Sequence, residues 1–525
     1  MRYCKLNRTT VISGATLFLL LLLQPSIYIF NIGTLSASDF NDDGFSDLAI
    51  GVPFEDLGHH MGAGAVHLLY GTSDGLQSDN EQFWNQREPK VSGRERSHDN
   101  FGEELSAGDF NGDGYSDLAV GIPMNSVGLK LFSGAVNVFY GSASGVVTKG
   151  NQLWTQDSEG VAETSEAQDL FGEELAVGDF NGDGYSDLAI GAPFEDSDDM
   201  INTGVVHILY GSALGLTADG DQIFQQGTNG ISDVIESGDM FGEELDVGDF
   251  NGDGYSDLII GVAFEDLGVK KNAGMVHILY GSKNGLSAVS SQTFSQGDEE
   301  VIGKANKGDL FGAEISVGDF NGDGFSDVSV AAYADDLPGA KKAGAVNVFY
   351  GSIAGLSATD GQYFHQDIDE IHENAEAGDF FGYAMYAGDF NGDGIDDLAI
   401  AAPGEDVGEI VDAGNITILY GSQSYLAADG SQIWHQNSAD ILGSAEEDDM
   451  FGWDLSAGDY NGDGFVDLAV GILDQIGDIK AAGAIQVIYG SPIGLSAANN
   501  QLWHQNSPGI SDEAEANDLF GYVVY

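Results

Sequence analysis

Asp109, Asn111, Asp113 and Asp117 fall at alternating positions of the stretch GDFNGDGYSDLAVG (108–121), and an apolar run follows directly. With Asp109 as position 1, carboxylates stand at positions 1, 5 and 9 and an amide at 3. Tyr115 at position 7 can offer its backbone carbonyl. Gly114 at position 6 permits a sharp turn with positive φ. Alternate positions of such a turn point inward. The result is oxygen-only ligation in a flexible loop, which suits Ca²⁺. No His or Cys is near, which disfavours zinc and copper. An EF-hand loop begins the same way but needs Glu at position 12. Here position 12 is Ile50, Val120 or Ile190. Asp at position 9 must replace that Glu, and the loop leads into a strand instead of a helix.

The word returns seven times, its first Asp spaced by 70 residues throughout. The first three candidate sites are Asp39, Asn41, Asp43, Phe45 and Asp47; then Asp109, Asn111, Asp113, Tyr115 and Asp117; then Asp179, Asn181, Asp183, Tyr185 and Asp187. Asp249, Asn251, Asp253, Tyr255 and Asp257 form the fourth, and Asp319, Asn321, Asp323, Phe325 and Asp327 the fifth. Asp389, Asn391, Asp393, Ile395 and Asp397, then Asp459, Asn461, Asp463, Phe465 and Asp467, complete the set. Three carboxylates brought together are costly without a cation. One such word could be an Asx-rich turn; seven in phase imply up to seven bound Ca²⁺.

Other words keep the same phase and define the elements that carry these loops. "FG" recurs from Phe101 to Phe520, a Gly-x-[Val/Ile] word from Gly64 to Gly483, "YG" from Tyr70 to Tyr489, and each unit closes on Gln-x-[Phe/Trp]-x-Gln. In the second unit the strand-like runs are 101–107, 116–122, 134–141 and 151–156. Val136, Val138 and Tyr140 alternate with Asn137 and Phe139, which is period-2 patterning. Four strands per unit predict an all-β chain, a β-propeller with four-stranded blades. Residues 37–525 hold seven periods of 70 less one residue. The C-terminal FGYVVY reads as a lone first strand, and the N-terminal unit lacks one. Pairing the two chain ends would close a seven-bladed ring with no free edge.

The remaining composition bounds the function classes. The formal net charge of -68 repels nucleic acid and anionic membrane. Residues 1–36 join Arg2, Lys5 and Arg8 to an apolar run over 11–23, which reads as a signal peptide. An uncleaved anchor is the alternative. The only cysteine is Cys4, so residues 37–525 have no disulfide. The mature chain is expected to be extracellular or cell-surface associated, monomeric and without a membrane span.

The stretch FGEEL…GDFNGDGYSDLAIGAP…GVVHILYG (171–211) resembles the FG-GAP repeat of the integrin α-subunit propeller, and the resemblance covers 37–525. It implies calcium loops on the lower face, between first and second strands. It implies partner binding on the upper face, through connections such as 54–63 and 87–100. The word Gly-Ala-Pro survives at Gly191 and drifts at Gly261 and Gly471. No further extracellular domain or C-terminal span is visible, and nothing identifies a β-subunit.

The repeats also resemble the propeller portion of GPI-specific phospholipase D, whose catalytic part is a separate domain. No GxSxG, HExxH or phosphate loop occurs, so no enzyme is expected. His67, His207 and His277 recur in third strands, and His365, His435 and His504 in fourth strands, as packing residues would. Acid pairs such as Glu55–Asp56, Glu195–Asp196 and Glu265–Asp266 read as solvated loops or accessory cation contacts. Trp84, Trp154, Trp434 and Trp503 leave a glycan-binding alternative, set against inter-blade packing. The reading is a secreted calcium-binding module for an extracellular protein or glycan. The alternatives are a lectin-like propeller or a propeller hydrolase or lyase.

Overall fold

The computed structural model describes residues 38–525 apart from 198, 229 and 478. The expected leader, residues 1–36, lies outside the described residues. The described residues form one compact unit of seven four-stranded antiparallel sheets. No helix among the described residues is long and apolar enough to cross a membrane.

Blade 2 shows the pattern, with strands Leu105–Gly108, Asp117–Gly121, Val136–Tyr140 and Val147–Trp154. The first strand is shorter than the sequence implies. Phe101 to Glu104 form a turn, because Gly102 has φ 86° and its amide bonds to Gly121 across from the next segment. The fourth strand starts earlier, at Val147, after a register shift opposite Val138 and Tyr140. The third strand is buried throughout, Asn137 included. Its polar–apolar alternation therefore does not mark a wet face; Asn137 Nδ2 donates to the Gln152 carbonyl at 3.0 Å.

The hydrophobic core lies between blades. Phe110, Val136 and Val138 of blade 2 pack on Leu175, Leu188 and Ile190 of blade 3 in one cluster. Both faces of the inner sheets are covered, so second strands read as unbroken apolar runs such as LAIGA. The glycine of each Gly-x-[Val/Ile] word has a packing cause. Gly134 has φ 82°, and a Cβ there would stand 2.2 Å from the Phe171 backbone.

Polar side chains repeat the same junction. Gln152 Nε2 donates to the Leu216 carbonyl at 2.9 Å, one blade on, while its Oε1 accepts from Tyr140 Oη at 2.6 Å. Blades 7 and 1 meet identically: Gln501 Nε2 donates to the Leu76 carbonyl at 3.1 Å. The ring closes as the sequence implies. Val523–Val524 pairs with Leu48–Val52 in register Ile50↔Val524, and Ala49 and Tyr525 exchange hydrogen bonds of 2.7 and 2.9 Å. Antiparallel topology places every first-to-second loop on one face and the second-to-third and fourth-to-first connections on the other.

Candidate metal centres

The acidic loops lie where the repeat predicts, each between a blade's first and second strands. Position 1 organises the turn. Asp109 Oδ1 accepts from the amides of Gly112 at 2.7 Å and Asp113 at 3.1 Å, and Oδ2 from Gly114 at 2.8 Å. Asp39, Asp179, Asp249, Asp319, Asp389 and Asp459 each accept from two or three amides in the same way. Gly114 adopts φ 94° with open space around it, so conformation alone selects glycine there. Asp113 at position 5 is exposed and accepts only from Tyr115 N, at 3.2 Å.

Position 9 has a role that the ligand reading missed. Asp117 is fully buried; its Oδ2 accepts from Phe110 N at 3.0 Å and its Oδ1 from Gly141 N at 2.9 Å. It braces the loop against the end of the third strand. All six counterparts, from Asp47 to Asp467, repeat the brace. Burial pushes the Asp117 carboxyl up to about 8, against the pull of the Gly141 amide, and Asp109 and Asp113 add to the rise. Asn111 Nδ2 donates to both Asp117 oxygens, at 3.2 and 3.1 Å.

Position 7 also does more than offer a carbonyl. The Tyr185 ring covers Gly112 of the preceding loop, where a Cβ would stand 2.6 Å away. Ser186 N donates to the Asp109 carbonyl at 3.0 Å, and Ser46 N to Asp459 at 3.0 Å across the closure. The seven loops thus form a linked ring on one face. Blade 6 adds a fourth acid: Asp396 replaces this serine and accepts from Asp319 N at 2.9 Å.

Among the described residues, no three His, Cys, Asp or Glu side chains converge on one point tightly enough to hold an ion. The donor chemistry nonetheless fits a hard cation. Each loop gathers three carboxylates and an amide, and no loop carboxylate is ion-paired among the described residues.

A second acidic feature went unread in the FGEEL word. Glu104, Glu174, Glu244, Glu314 and Asp454 stand at one repeat position, at or just before the start of five first strands, and converge around the axis. Burial, then mutual repulsion, holds Glu174 and Glu244 well above the usual carboxylate range. These side chains are half-buried and keep some contact with water. Glu314 Oε1 accepts from Met385 N at 3.0 Å and Asp454 Oδ2 from Val524 N at 2.8 Å, each in the next blade.

Other candidates resolve into packing. His67, His207 and His277 are fully buried against Phe520, Phe171 and Phe241. Trp84 lies 5.6 Å from Phe139 of the next blade, and Phe294 stacks 4.7 Å from Phe349. The acid pairs differ from the solvated loops expected. Glu55, Glu195 and Glu265 are buried, because Gln505, Gln156 and Gln226 of the preceding blade donate to them at 2.7, 2.7 and 2.8 Å. Asp56 instead braces its own loop through Gly62 N at 2.8 Å.

Comparison with known proteins places these repeats. The FG-GAP repeat matches at 32–69, 101–139, 171–209, 241–279, 311–349, 381–419 and 451–488. Phosphatidylinositol-glycan-specific phospholipase D of Bos taurus is 31% identical over 207 residues, covering 38% of this chain and 23% of that protein. Integrin alpha-PS2 of Drosophila melanogaster is 31% identical over 241 residues, covering 45% of this chain and 15% of its own length. The matches thus span less than a quarter of these relatives. The Dos1 propeller is 10% identical with a TM-score of 0.39, covering 84% of this chain and 78% of that one. Seven in-phase matches, over more than half of the sequence, make this chain a member of the FG-GAP repeat family.

Proposed function

We propose that the protein is a secreted or cell-surface calcium-binding propeller that serves as an interaction or adhesion module. The observation that carries the calcium reading is the sevenfold return of three carboxylates and an amide in loops without a paired Lys or Arg among the described residues. Ca²⁺ bound there supplies the positive charge that the loops lack. Positions 1, 3, 5 and 9 and the position-7 carbonyl hold it, and the linked loops would stiffen together. The membership in a family that includes integrin α subunits supports the adhesive role. It also supports an extracellular location, as does the leader-like segment.

The test is calcium titration by calorimetry, with melting curves in calcium and in chelator. Extracellular modules bind with Kd of about 10⁻⁴ to 10⁻³ M. At tenfold excess each site adds about 1.4 kcal/mol, and seven add roughly 10 kcal/mol. Several sites per chain and a large loss of melting temperature in chelator are expected. No binding and an unchanged melt would sink the reading.

We also hold the module to be non-enzymatic. His67, His207 and His277 are buried in packing, and Glu55, Glu195 and Glu265 bridge neighbouring blades. A screen for hydrolase and lyase activity tests this, and turnover that survives purification would overturn it. The glycan alternative loses the outer-strand aromatics, which pack between blades.

A further inference from the structure

Of the 17 Lys and Arg residues, three precede residue 37, and four of the rest line one cavity of about 760 Å³. These are Lys271, Lys307, Lys341 and Lys342, on the face opposite the acidic loops. They come from the second-to-third connections of blades 4 and 5 and the connection leading into blade 5. Phe264 and Leu310 supply an apolar part of the wall.

The repeat does not require these lysines. Where Lys271 and Lys341 stand, blade 7 has Lys480, but the other four units have Met61, Leu131, Ile201 and Val411. The corresponding cavity between blades 7 and 1 is smaller, about 350 Å³, and is lined by Asp56, Glu515 and Asp518. There Met61, Gly62 and Ala516 stand at the positions of Lys341, Lys342 and Lys307, so the same scaffold carries lysines in one cavity and none in the other, within a chain of net charge -68.

Two of the lysines are held by carboxylates. Lys271 bonds to Asp266, and Lys341 lies 3.8 Å from Asp336. Lys307 and Lys342 form no ion pair among the described residues. Lys342 Nζ lies 5.6 Å above the Phe380 ring, an arrangement that holds a cation in place. The cavity thus keeps uncompensated positive charge beside an apolar wall.

We propose that this cavity binds a small carboxylate-bearing ligand of the uronic-acid class. Lys307 and Lys342 would take the carboxylate, and Phe264 and Leu310 the carbon face of the ring. Three arguments select this class. Ammonium groups act as point charges and suit a single carboxylate, without the fork geometry of arginine. The volume lies in the range of small-molecule sites. The surrounding negative field repels a long polyanion but admits one short acidic unit. An acidic peptide has the charge but lacks a rigid ring for the apolar wall, and it must be ordered on binding.

The inference rests on the binding-module reading and names a ligand class for its connection face. Its test is calorimetric titration of a uronic-acid disaccharide into the purified protein in calcium-containing buffer. A neutral disaccharide and the dipeptide Asp-Glu are run at matched ionic strength. Binding of one uronide per chain is expected, weakened about tenfold or more in Lys307→Ala/Lys342→Ala. The variant Lys149→Ala/Lys283→Ala should bind as the parent does, and melting curves of both variants establish that they fold. Lys342→Gln provides a milder single change, with a smaller loss expected. Equal binding of the neutral sugar or the dipeptide would overturn the proposal, as would undiminished binding in the double variant. Absence of uronide binding while another ligand docks elsewhere would also overturn it, yet leave the module reading intact.

Discussion

Asp113 and Asp117 belong to the same candidate site but answer to different forces. Asp113 is exposed and accepts one local hydrogen bond, so its charge is available to an ion. Asp117 is buried and ties two backbone amides, so it supports the fold with or without an ion. Asp113→Asn should remove one calcium equivalent and leave the melt in chelator unchanged. Asp117→Asn should lower the melt in calcium and in chelator alike, because its amide nitrogen would face a donor. Leaving one buried donor unpaired costs about 1–3 kcal/mol. Calorimetry and melting curves on the two variants separate the roles. Both carboxylates were visible in the sequence as one ligand set. The brace was not, because Gly141 reaches Asp117 only once the third strand folds back.

The bridge between blades is the unit of stability at the scale of elements. Burial first, and then Asp169, pushes the Glu195 carboxyl up to about 8, although Gln156 opposes the rise. Glu265 is raised to about 8 by burial, with Gln226 opposing. The folded values exceed the unfolded one of 4.5, so the fold favours the protonated form. That contribution is complete below about pH 4.5 and is lost as pH rises through about 8. The melting temperature in chelator should therefore fall between pH 5 and pH 9. Glu195→Gln should flatten this fall and gain roughly 1–2 kcal/mol at the alkaline end. Thermal melts across that pH range check it. The four strands were legible because turn glycines and apolar runs recur at 70-residue intervals. Strand ends were less so. Glycine at 102 breaks the first run, and a register shift lengthens the fourth. The paired acids misled for a related reason: Gln156 and Glu195 are 39 residues apart and meet only across a blade junction.

At the largest scale the described residues form a ring, and its seven blades and end-to-end closure could be counted in the sequence. The axial acids could not be. Glu104, Glu174 and Glu244 each close a Glu-Glu pair, Glu314 follows Ala313 and Asp454 follows Trp453, and only closure brings the five together. The lysine cavity was hidden likewise, since Lys271, Lys307 and Lys342 lie on three separate connections. Closure itself depends on very little chain. Removing residues 520–525 deletes Phe520 and Val524 from the cluster joining blades 7 and 1, and bares the edge of Leu48–Val52. That truncation should melt well below the parent and self-associate through the open edge, as light scattering and calorimetry would show.

The two-residue pairing at Ile50↔Val524 also gives the molecule a mechanical grain. The strands are antiparallel, so a pull applied to residue 38 and Tyr525 loads both from the same end and peels their hydrogen bonds one after another. A pull between opposite rims of the ring meets many buried junctions at once. Tension on the termini would open blade 1 as a tear starts at a seam, while tension across the ring would leave it whole.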